Sequence, residues 1–120
     1  MEISLNYGKS QLAVALPDNL NLTVIRKPDM PLLADPVATL EASFANPDGG
    51  APLATLAGAA KTACILICDI TRPVPNGVIL PPLLRALLAA GMEVKNITIL
   101  VATGLHRPNV GDELAELVGD

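Results

Sequence analysis

Two runs of branched apolar residues, Cys64-Ile65-Leu66-Ile67-Cys68 and Ile97-Thr98-Ile99-Leu100-Val101, each break abruptly into polar residues. The first runs into Asp69-Ile70-Thr71-Arg72-Pro73, the second into Ala102-Thr103-Gly104-Leu105-His106-Arg107-Pro108. Near-continuous apolar runs of this length are the pattern of parallel strands covered on both faces. Between them Leu80 to Gly91 reads as a helix that begins near Ile79. Pro81 and Pro82 then fall in its first turn, where a missing N–H is tolerated. A strand, a crossover helix and a second parallel strand bring both carboxyl ends to one sheet edge. Open α/β sheets bind ligands at that edge.

The flanking pattern is different. Residues 2–25 read as β structure. Ile3-Ser4-Leu5 alternates, Asn6-Tyr7-Gly8-Lys9-Ser10 carries turn chemistry, and Gln11 to Leu16 is again largely apolar. Pro17-Asp18-Asn19 makes a second turn, after which Leu20 to Ile25 predicts a further strand. Asp35 followed by Pro36 is a helix start, with the acid as N-cap and proline at the first helical position. That helix runs to about Ala45, with Val37, Leu40 and Phe44 on one face and Glu41 pointing away. Asn46-Pro47-Asp48-Gly49-Gly50 stops it, and a short helix from Pro52 to Ala60 turns Leu53 and Leu56 inward. After Pro108, Asn109 or Asp112 caps a last helix carrying Leu114, Leu117 and Val118. The expected architecture is one α/β domain over residues 1–120, a Rossmann-like layered fold with a parallel βαβ core and an N-terminal β-hairpin.

Composition narrows the function classes. Apolar residues make up 51% of the 120 and aromatics 2%, so the core is built from Leu, Ile, Val and Ala. So few rings argue against a surface that stacks bases. Eight Lys and Arg stand against twelve Asp and Glu with no basic run, which argues against nucleic acid as a partner. Met1-Glu2-Ile3-Ser4 has neither the charged nor the apolar region of a signal peptide. The longest apolar stretch, Val78 to Met92, holds two prolines and Arg85, so no membrane span is expected and the cytoplasm is the expected location. Cys64 and Cys68, at i and i+4 on one strand, lie roughly 13 Å apart, too far for a disulfide. They are expected as two reduced, buried core thiols. With a single histidine they make no convincing metal site.

The polar residues past the two strands are not needed by a core. Asp69, at the end of an Ile/Leu strand, needs a partner or a task. It either ties down the next loop, by bonding backbone N–H groups or pairing with Arg72, or faces a ligand. Arg72 sits in a loop stiffened by Pro73 and Pro75, and its fork suits a carboxylate or phosphate. The amides at the start of the following helix are expected to face the same edge. Gly104 permits a tight turn or close backbone approach. His106 is the only histidine, and its side chain can give and take protons near neutrality. Arg107 reads as a structural or anion-holding residue.

Together, Asp69-Ile70-Thr71-Arg72-Pro73 and Ala102-Thr103-Gly104-Leu105-His106-Arg107-Pro108 resemble the amino-terminal domain of the lactate racemase family, nickel-dependent racemases and epimerases of 2-hydroxy acids. The resemblance extends over most of the chain, including Tyr7-Gly8-Lys9 and Asn46-Pro47. It implies a nickel pincer nucleotide that takes a hydride from the hydroxyl-bearing carbon and returns it to either face. His106 matches one of two acid/base histidines, and Arg72 the arginine that holds the substrate carboxylate. Asp69 matches a residue of the substrate and cofactor region, and Thr71, Thr103 and Gly104 are expected at the cofactor.

The family's second histidine, its cofactor-bearing lysine and its nickel-ligating histidine belong to later segments. The expectation is therefore an amino-terminal part of a longer two-domain enzyme that lacks its C-terminal domain, holds no cofactor or metal alone and is inactive alone. Its substrate would be a small 2-hydroxy acid, and an exposed apolar face should mark where the remainder docks. The alternative is a stand-alone module that binds a small carboxylate or phosphate without catalysis.

Overall fold

The computed structural model describes residues 1–119, which fall into two compact units, Met1–Pro31 and a second that begins at Leu32. The first unit is a hairpin of β1 (Glu2–Tyr7) and β2 (Ser10–Ala15), antiparallel with Tyr7 opposite Ser10. That register leaves Gly8 and Lys9 as a two-residue turn, and Gly8 takes the positive φ of 57° such a turn demands. Among the described residues the hairpin sheet has two strands. Leu20 to Ile25 is irregular rather than a strand, because its apolar residues gain no ladder partner there.

In the second unit α1 (Pro36–Ala45) starts as the sequence predicts. The Asp35 carboxylate accepts from the Ala38 N–H at 2.9 Å and Pro36 occupies the first helical position. Leu40 and Phe44 are half-buried, while Glu41 reaches Arg85 of the crossover helix at 3.2 Å. In α2 (Leu53–Ala59) the buried residue is Ala57, and Leu56, expected inward, is 57% exposed.

The centre is β3 (Ala63–Cys68) paired in parallel with β4 (Ile97–Ala102), joined by α3 (Asn76–Ala89). A last short helix, α4 (Asp112–Val118), follows. Helix α3 begins three residues before the predicted start, so Pro81 and Pro82 lie in its second turn. Its early start is held by tertiary contact. Asn76 is buried and its Nδ2 donates to the Leu117 carbonyl of α4 at 3.0 Å. A Cβ on Gly77 would sit 3.1 Å from the Gly119 Cα, so two backbones meet there directly. The first turn of α3 therefore packs against the end of α4. Gly111, at φ 59°, is the N-cap of α4, and neither Asn109 nor Asp112 fills that place.

Helices cover one face of the sheet. Ala57, Leu87 and Met92 pack with Ala63, Ile65 and Ile97, while Ile67, Leu80 and Leu117 pack with Ile65, Ile70 and Val101. The opposite face carries the alternate residues, paired as Cys64 with Thr98, Leu66 with Leu100 and Cys68 with Ala102. All six are exposed, Leu66 by 66% and Leu100 by 50%. The expectation of two covered faces fails, and with it that of buried thiols. In a strand, residues two apart share a face, and both cysteines fall on the uncovered one. Among the described residues no helix is long and apolar enough to cross a membrane.

Candidate functional site

Because β3 and β4 run in parallel, the loops that leave them emerge at one edge of the sheet. Inward and outward positions alternate along β3 and continue one residue past it. Cys68 is thus exposed while Asp69 is buried, 4% accessible. A buried carboxylate must find donors, and Asp69 has three. The Thr71 hydroxyl donates to Oδ1 at 2.6 Å and the Thr71 backbone N–H to the same oxygen at 3.1 Å. His106, from the loop after β4, meets Oδ2 through Nδ1. Bonds from the Thr71 side chain and from His106 hold the Asp69 carboxyl at about 2, below its usual 3.8, against the opposing effect of burial. Asp69 is therefore ionised throughout the neutral range.

When the ring is neutral, an ionised acceptor at Nδ1 favours the proton on that nitrogen. Nε2 is left as a lone-pair acceptor on an imidazole whose side chain is about half exposed, at 52%. The loop itself is closed by the His106 N–H donating to the Thr103 carbonyl at 3.0 Å, across Gly104 at φ 58°.

A cavity of about 350 Å³ lies at this edge, lined by Cys68, Asp69, Arg72, Thr103, Gly104 and His106, with Ala102 and Leu105 completing the wall. The structure thus gathers five of the six residues singled out from the sequence. Thr71 is not among the lining residues, and its hydroxyl is spent on Asp69. The Arg72 backbone N–H donates to the Asp69 carbonyl at 3.1 Å. Its guanidinium makes no hydrogen bond or ion pair among the described residues, so the Asp69–Arg72 pair weighed from the sequence does not form. A free guanidinium and an imidazole lone pair on one cavity can hold an anionic carboxylate and accept a proton from a neighbouring hydroxyl.

Arg107 does not face this cavity chemistry. Its two guanidinium nitrogens reach the two Glu113 oxygens at 2.7 and 2.6 Å. Glu113 also accepts from Asn109 Nδ2 at 2.9 Å, and Asn109 Oδ1 accepts from the Ile70 N–H at 3.3 Å. Sequence reasoning missed Asn109 and Glu113 in this role. The available signal was an acid four residues after an amide in a loop that opens a helix. Cys68 was missed as a lining residue because its strand was read as covered.

A family model described as the lactate racemase N-terminal domain matches residues 7–120. The lactate racemase of Lactiplantibacillus plantarum is 43% identical over 82 residues, covering 68% of this chain and 19% of that protein. The lactate racemase of Thermoanaerobacterium thermosaccharolyticum is 32% identical over 120 residues, covering 98% of this chain and 28% of that one. The solved structure of the lactate racemase apoprotein from that second organism superposes with a TM-score of 0.74 at 32% identity, over 100% of this chain and 27% of the other.

Proposed function

Since the chain belongs to the lactate racemase N-terminal domain family, we propose that it is the amino-terminal part of a 2-hydroxy-acid racemase or epimerase. In this reading it supplies one acid/base histidine and the residues that hold the substrate. The observation that carries it is the Asp69–His106 contact beside an unpaired Arg72 on one cavity. Arg72 grips the substrate carboxylate with its fork. His106 Nε2 takes the proton of the substrate hydroxyl, and the Asp69 carboxylate offsets the charge the ring acquires. On the return the same nitrogen gives the proton back, so the loop after β4 serves both directions for one enantiomer. Asp69 thereby acts chiefly through His106, while Thr71 acts through Asp69.

The family's nickel pincer nucleotide, when bound, supplies the hydride-accepting chemistry. Thr103 and Gly104 border the space where it would meet the substrate. No group of three or more His, Cys, Asp or Glu side chains suited to a metal ion forms among the described residues. In this reading the ligands of the nickel come from a later part of the polypeptide.

The bare sheet face supports the same reading. A parallel pair with Leu66 and Leu100 in solvent is a surface on which a further layer belongs. This chain spans 19% and 28% of the two curated relatives, which leaves ample polypeptide to provide that layer. The layered, Rossmann-like arrangement would be completed by it.

The test is His106→Ala in the complete polypeptide, assayed with each enantiomer of lactate while circular dichroism follows the fold. Conversion of at least one enantiomer should disappear with the fold intact. Unchanged turnover in both directions would overturn the role of His106.

A further inference from the structure

We propose that Asn109 and Glu113 form a clamp that positions His106 against Asp69, making the short helix α4 part of the site's machinery. The two halves of the pair come from different loops, and the strand ladder ends at Cys68 and Ala102, one and four residues before them. Glu113 ties the loops together beyond that point. It stands in the first turn of α4 and takes Arg107 bidentately at 2.6 and 2.7 Å. It also takes the Asn109 carboxamide at 2.9 Å. Arg107 is the residue next to His106. Asn109 then spans to the other loop, its oxygen on the N–H of Ile70 at 3.3 Å, and Ile70 is the residue next to Asp69.

Each member of the pair thus has a neighbour along the chain tied, directly or through one side chain, to a single carboxylate. Asn109 is 9% accessible and uses both ends of its carboxamide, which a residue serving only solubility would not. Bonds from Arg107 and Asn109 hold the Glu113 carboxyl at about 2, below its usual 4.5, so the clamp is charged at neutral pH. Supporting groups of this kind set ring orientation and tautomer.

The proposal rests on the racemase reading for its purpose but not for its test. His106 is the sole histidine of the chain, so its imidazole nitrogens give unambiguous signals in ¹⁵N–¹H correlation spectra. In the unaltered chain the Nδ1–H tautomer should dominate. Asn109→Ala should move the ring to the Nε2–H form that imidazole favours when left to water, with far-UV circular dichroism unchanged. Glu113→Gln should move it in the same direction by a smaller amount, and serves alone if Asn109→Ala does not fold. Unaltered tautomer populations in folded variants would overturn the clamp. In the complete polypeptide the same variants should lower kcat for lactate with KM little changed. A tautomer shift in a polypeptide without racemase activity would keep the clamp and sink the functional reading.

Discussion

The two faces of the β3–β4 sheet both carry large aliphatic side chains and differ in their fate. Ile65, Ile67 and Val101 pack beneath α2, α3 and α4, while Leu66 and Leu100, their immediate neighbours, stand in solvent. The outer face carries Cys64, Cys68 and Thr98 where the inner carries Ile and Val, yet Leu66 and Leu100 promise burial as much as Ile65 and Val101 do. What differs is the supply of cover. Among the described residues the helices back one face, and burial requires a second surface as well as an apolar one. The same parity governs the site, because the inward series ends on Asp69 and the outward series on Cys68.

The sharpest way to break this comparison is to shave both faces. Ile67→Ala should cost about 2–5 kcal/mol of stability in urea unfolding, the range for truncating a buried aliphatic side chain. Leu66→Ala, one residue away, should stay within about 0.5 kcal/mol. Similar losses at both positions would show that the outer face is covered after all.

Acid reads the end of the inward series. The folded Asp69 carboxyl titrates at about 2 against an ordinary 3.8, and Glu113 at about 2 against 4.5. Their contribution is therefore complete above about pH 4.5, declines as the pH falls and is lost below about 2. Asp69→Asn and Glu113→Gln should each flatten stability between pH 4.5 and 2. A curve as steep as the parent's in both variants would remove these carboxylates from the account.

The least perturbing experiment is thiol labelling. Cys64 and Cys68 should both react with an aromatic disulfide reagent in the absence of denaturant, at rates close to those of the unfolded chain. Protection of either would place it on a covered face. In the complete polypeptide both should become slower, if the remainder of the enzyme seats on Leu66 and Leu100.

Much of the arrangement is legible in the sequence. The cap at Asp35, the hairpin turn at Gly8, both core strands and their parallel pairing follow from local chemistry and periodicity. Five of six candidate residues meet on one cavity because strand direction alone sends both loops to one edge. The failures share a cause. Leu20–Ile25 lacks a partner strand, Leu56 and the two cysteines lack a covering layer, and α3 starts early because Asn76 is held by α4. Each depends on what lies across from the residue, which one-dimensional pattern does not encode. Asn109 illustrates it best. Its type and place fit a helix cap, yet the carboxamide spans two loops that sequence distance keeps apart.

The meeting of α3 with α4 also bears on how the chain is made. Asn76 finds its partner 41 residues later, at Leu117, and Gly119 brings its backbone against Gly77 just beyond. At synthesis rates of roughly 5–20 residues per second, that interval lasts about 2–8 s. Through those seconds a nascent α3 has emerged with its first turn unfastened, and neither Glu113 nor Asn109 yet spans the two loops. The site is therefore among the last parts of this unit to be assembled on the ribosome, and a pause in translation before residue 112 would leave β3 and Asp69 waiting in the open.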